Sequence, residues 1–189
     1  MIRPTIAIAA AILCVGATPP APRIEPIRLK AGVNHIADIA GDGHAGAIEL
    51  RWRENGNAWG YDIFTVTVNG SIATVEGRDN ITDSPHTGDD MVTSVRFVRG
   101  AAEGHRTTFI LTASRNIVGP VPDPAPTVLR IYVLQRSRDA LGTPYEFRLV
   151  REFSARRRYC NADMALQSEI GLPVARSYSG PVTIDGCPR

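Results

Sequence analysis

The sequence predicts a mainly all-β fold: an antiparallel β-sandwich of about eight strands with one short C-terminal helix. Three observations carry this. Apolar and polar residues alternate at period two through most of the patterned segments. Turn-forming clusters of Gly, Asn, Asp and Pro separate those segments at regular intervals. Near the C-terminus, one segment combines helical spacing with helix-stopping residues. Short alternating strands joined by turn-rich loops belong to antiparallel sandwiches or barrels.

Taken in order, a short strand is expected near 34–39. In 47–53, Ile48, Leu50 and Trp52 face one way and Glu49, Arg51 and Arg53 the other. In 61–68, Phe64, Val66 and Val68 alternate with Ile63, Thr65 and Thr67, a strand buried on one face and semi-buried on the other. Asn69-Gly70 is a two-residue hairpin signal leading into a strand at 71–75. Val95 and Phe97, then Phe109 and Leu111, then Leu129, Ile131 and Val133, then Tyr145, Phe147 and Leu149 mark four more. The longer loops are the acid-rich 77–90 and the proline-rich 115–126. Prolines donate no backbone hydrogen bond, so the second is a stiff surface connection. Arg156-Arg157-Arg158 reads as a solvated turn, with an anion or membrane-surface patch as the functional alternative. The helix begins after Asn161 as cap and carries Ala162, Leu166 and Ile170 on one face. It stops at Gly171, with Pro173 blocking continuation.

The 189 residues suit one ordinary domain, and 43% hydrophobic with 21% charged residues excludes a disordered chain. A net charge of +2 implies no nucleic-acid partner. Residues 1–17 read as a cleaved secretory signal: Arg3, an apolar run over 6–15, and Val15-Gly16-Ala17 as the cleavage site. That run, of about 10 residues, is too short to span a bilayer, and no other stretch approaches the ~20 required, so no transmembrane segment is expected in the mature chain. A Pro-rich segment, 18–29, leads into a single domain, 30–189. The expected location is periplasmic or secreted. Cys14 leaves with the signal, so Cys160 and Cys187 remain as an even pair in an oxidising compartment and read as a disulfide.

Two segments could carry chemistry. In Asp38-Ile39-Ala40-Gly41-Asp42-Gly43-His44, Asp38 and Asp42 fit two positions of a calcium loop. Ala40 and Gly46 stand where two further oxygen ligands belong, and Glu49 falls on a strand, so a Gly-Asp-Gly turn competes with calcium, the one cofactor considered. The second segment runs from Trp52 to Asp62. Its Arg53, Glu54, Asn55, Asn57 and Trp59 combine carboxylate recognition, adaptable amides and a rigid aromatic surface. These are the candidate ligand or partner contacts; the competing reading is a hairpin loop whose aromatics cap the end of the sandwich. Lys30, the sole lysine, has no serine three residues before it, and there is no Gly-x-Ser-x-Gly elbow, phosphate loop or His-Glu-x-x-His. His35, His44, His86 and His105 are isolated in sequence, with His35 and His44 near Asp38. No catalytic residue is assigned, and the chain reads as a non-enzyme.

The run from Gly32 to Gly43, followed by Arg51-Trp52-Arg53-Glu54-Asn55-Gly56-Asn57-Ala58-Trp59-Gly60-Tyr61-Asp62, resembles the core of the CarG-like carbapenem self-resistance proteins. Their pattern is a D-x-N-G-D-G turn leading into a strand and then W-R-E-N-x-N-A-H-G-Y/F-D. Ala40 replaces the turn asparagine and Trp59 the histidine, which removes two side chains that a metal- or histidine-dependent role would use. The resemblance implies a periplasmic β-rich protein that protects against carbapenems without hydrolysing them. Arg53, Asn55, Asn57 and Trp59 would contact the β-lactam, with Arg53 facing its carboxylate. An envelope protein is the alternative partner, for an interaction or structural module; a calcium-dependent adhesive module is a third reading.

Overall fold

The computed structural model describes residues 24–54, 56, 60–84, 91–138, 142–175, 178 and 180–188. The expected signal segment 1–17, the start of the Pro-rich segment and residues 85–90 of the acid-rich loop lie outside the described residues.

The strands are β1 Glu25–Pro26, β2 Gly32–Ile36, β3 Gly46–Glu54, β4 Gly60–Val68, β5 Ser71–Val75, β6 Ile81–Thr82, β7 Thr93–Ala102, β8 His105–Arg115, β9 Ala125–Arg136 and β10 Tyr145–Tyr159, and the helix is α1 Ala162–Ile170. All eight expected strands are present; β1 and β6 are two-residue additions. The alternation on β4 is as read, with Phe64, Val66 and Val68 all buried. The run Arg156-Arg157-Arg158 is not a turn, because β10 continues through it to Tyr159.

The sandwich expectation is corrected. Nine strands follow one hydrogen-bonded path, β1-β7-β8-β9-β10-β5-β4-β3-β2, with β6 beside β4, and the sheet curls on itself as a half-barrel. The pairing is not wholly antiparallel either: β5 and β10 run parallel, Tyr145 opposite Ala73 and Phe147 opposite Val75. That short pair joins what would otherwise be two sheets. The bend is made on β10, whose register against β9 slips between Leu149 and Arg151 and again between Ser154 and Arg158. An extra residue on one strand bends it and sharpens its twist.

Inside the curl, Ile48, Phe64, Val66 and Val68 meet Val95, Phe97, Ile110, Leu134 and Phe147. Phe97 is the hub, its ring centroid 5.4 Å from Phe64 and 6.4 Å from Phe147. The outer face of β7–β9 is covered as well, where Val98, Leu111, Ala113 and Leu129 pack on Met164, Ala165 and Leu166 of α1. This is why β9 is buried on both faces, Leu129 toward the helix and Leu134 toward the curl. Each fully buried Leu contributes about 1.5–3 kcal/mol.

Asn161 caps α1, its side chain accepting from the Asp163 N–H at 2.8 Å, and Gly171 ends the helix at φ 77°. Cys160 and Cys187 form the expected disulfide, with Cα atoms 4.9 Å apart. Arg115, almost fully buried, donates to the carbonyls of Tyr159, Val121 and Asp123 at 2.9, 2.6 and 2.8 Å. It thereby fixes the proline-rich connection to the end of β10. No helix among the described residues is long and apolar enough to cross a membrane.

Candidate functional site

The turn between β2 and β3 is built by its own sequence. Asp38 lies at φ 48°, Gly41 at 78° and Gly43 at 86°. The Asp38 carboxylate accepts the Gly43 N–H at 2.7 Å, and Asp42 Oδ1 accepts the His44 N–H at 3.2 Å. Ile39, fully buried, plugs the core. Its carbonyl accepts from Thr108 Oγ1 at 2.7 Å and Arg99 Nη1 at 2.6 Å, while Arg99 Nη2 reaches the Asp38 carbonyl at 2.8 Å. Gly41 is required twice over. Its φ is left-handed, and a Cβ there would lie 2.2 Å from the Arg106 carbonyl oxygen and 2.7 Å from the His105 ring.

Asp42 makes a seam between the β2–β3 turn, near one end of the sheet, and β9 and β10 in its middle. Its Oδ2 accepts the Tyr145 hydroxyl at 2.6 Å and lies 3.3 Å from Arg136 Nη2, and the Arg136 guanidinium stacks 5.5 Å from the Tyr145 ring centroid. His44 Nδ1 is 3.1 Å from Asp42 Oδ1 and 3.4 Å from the Tyr145 hydroxyl. Burial pushes the Asp42 carboxyl up, but hydrogen bonds from Tyr145 and His44 outweigh it and hold the group below its ordinary value. Burial, and then the Asp42 carboxylate, push the Tyr145 phenol up.

Beside this seam lies a cleft of about 340 Å³. Its lining includes the apolar Ala40, Val133 and Leu134 and the polar Asp42, Glu103, His105, Gln135, Arg136 and Arg138. Of these only Asp42 was a candidate from the sequence. The others come from the β7–β8 hairpin and the end of β9, about thirty residues apart in the chain, and no local motif marks them; Tyr145 reads simply as the start of an alternating strand.

The remaining candidates lie elsewhere. Arg53 and Glu54 are exposed at the far end of β3, opposite Tyr61 and Gly60. The Trp52 ring lies directly on Gly60, where a Cβ would fall 1.9 Å from it. Asn55, Asn57 and Trp59, like His86, lie outside the described residues. Beyond Gly60, Asp62 donates its N–H to Asp83 Oδ1 at 2.8 Å, so the aromatic segment and the acid-rich loop meet there. They border a second cleft of about 260 Å³ that also holds Ser94, Arg96 and Asp163. Asp38 and Asp42 share one turn, but His35 sits on β2 opposite Ala47. Among the described residues no three His, Cys, Asp or Glu side chains gather closely enough to hold a metal ion.

No family description matches the sequence, and no curated protein matches it. The fold does have a counterpart among solved structures: the crystal structure of CarG matches with a TM-score of 0.60 and 25% identity, over 81% of this chain and 97% of that one. The chain is therefore a mainly β protein related in structure to CarG.

Proposed function

We propose that the protein is an exported, non-enzymatic binding protein that protects against carbapenem-type β-lactams without hydrolysing them. The observation that carries this is the structural likeness to CarG, which spans nearly all of that chain. The Trp52–Asp62 motif supports it from the sequence side. Export is supported by the character of residues 1–17 and by the Cys160–Cys187 bond, since disulfides persist in oxidising compartments. Calcium remains a minor reading, because the Asp38 and Asp42 carboxylates already accept protein donors. A second reading, an envelope interaction module, draws on Trp52, which is 51% exposed beside Arg53 and Glu54.

The test is thermal melting of the oxidised protein with and without a carbapenem, with assay of the antibiotic recovered. A ligand that binds only the folded state adds about 2.7 kcal/mol of stability at a hundredfold excess over its Kd. A concentration-dependent rise in Tm with intact antibiotic is expected. No rise at millimolar antibiotic would sink direct binding and favour the interaction module; loss of the antibiotic would make the protein an enzyme.

A further inference from the structure

We infer that the cleft beside the 38–44 turn is a binding site for a small organic carboxylate, with Arg138 and His105 as its ligand contacts. The inference rests on the protection reading and deepens it by naming where the ligand sits and which of its groups is held.

Four observations carry it. At about 340 Å³ the cleft has room for a molecule of one or two fused small rings, at the lower end of the range for ligand pockets. The apolar part of its lining, Ala40, Val133 and Leu134, is rigid, because all three residues are buried. Its acids are already matched: Asp42 by Arg136 and the Tyr145 hydroxyl, and Glu103 by Arg148 at 3.9 Å. Arg138 is exposed at the cleft and pairs with no carboxylate among the described residues. Arg136, which also lines the cleft, uses Nη2 toward Asp42, and a guanidinium carries five N–H donors. An apolar lining with a small number of convergent donors is how a ring bearing one carboxylate is oriented.

Charge separates this cleft from the one at the opposite end of β3 and β4. That cleft carries Asp62, Asp83 and Asp163, and its Arg96 is engaged by Asp163 and the Pro173 carbonyl. With three carboxylates and its one arginine engaged, that cleft suits a carboxylate ligand less. Arg53 stands on an exposed strand end, and neither cleft includes it.

The experiment is an amide chemical-shift titration of the oxidised protein with a carbapenem, repeated on Arg138→Ala, His105→Gln and Arg53→Ala. Arg136 is left intact because it also holds Asp42. Saturable shifts are expected at Gly41, Asp42, Gly104, His105 and Arg136. Arg138→Ala should weaken binding about tenfold or more, the scale of one charge-assisted hydrogen bond, with its Tm without ligand unchanged. Arg53→Ala should bind as the parent does. Saturable shifts confined to 52–62, with affinity lost in Arg53→Ala and kept in Arg138→Ala, would overturn the cleft and leave the protection reading standing. No saturable shift anywhere, at millimolar carbapenem, would overturn both.

Discussion

Glu169 shows how much one side chain settles here. Its Oε1 accepts the Tyr159 hydroxyl at 2.7 Å and the Arg156 N–H at 3.1 Å, and its Oε2 accepts Arg156 Nε at 2.9 Å. Burial alone would raise its pKa, yet these donors leave it below the ordinary 4.5. A carboxylate depressed in this way stabilises the fold fully above its unfolded value, and that contribution is lost as pH falls through the folded one. Tyr159 behaves in the opposite sense. Burial and the same carboxylate push it up to about 12, so its contribution is complete below the ordinary value of 10 and lost as pH rises through 12. Urea midpoints across pH should therefore show Glu169→Gln weaker than the parent by about 1–2 kcal/mol at neutral pH. That gap should close below pH 4.5. A gap of constant size down to pH 2 would show that the charge on Glu169 stabilises nothing. None of this is visible in the sequence, where Glu169 is one acid on a helix and Arg156 opens a run of charges.

The helix and the C-terminal tail behave as one element. Cys160 precedes α1 and bonds Cys187; the Cys160 N–H also donates to the Asp185 carbonyl at 2.9 Å, and Ser168 Oγ to that of Ile184 at 2.7 Å. The cap, the stop and the cysteine pair were all legible, because each depends on residues next to one another or on simple parity. In the chain-entropy account a bridge of this span is worth about 3–4 kcal/mol. Replacing both cysteines by serine should lower stability by that order. Limited proteolysis should then cut within 180–188 first, while far-ultraviolet dichroism keeps its sheet signal. If the tail resists protease as well as before, the two hydrogen bonds hold it without the disulfide.

At the scale of the whole molecule, strand positions were legible and strand order was not. Period two reports which residues lie in strands and which face they share; it carries no information on which strand lies beside which. The curl therefore escaped the sequence, as did the cleft, whose walls come from the β2–β3 turn, the start of β8 and the end of β9. The Asp42–Tyr145 hydrogen bond across the seam supplies a test of closure. Tyr145→Phe should cost about 1–2 kcal/mol and speed amide exchange over 38–44 more than in α1; equal protection in both places would show that Arg99 and Thr108 hold the turn unaided. The parallel pair of β5 with β10 also sets an order of events as the protein folds. β2 to β5 form a meander of neighbours along the chain, each able to pair as soon as the next is present. The outer edge of β5, however, has no partner until the chain has passed through β7, β8 and β9 and reached Tyr145. Until then the edge at Thr74 offers open backbone to any passing strand, including the same edge of another copy, while Val75 is already bonded to Arg78 across its own turn. The interval between those two moments is when this protein has most need of dilution or a chaperone.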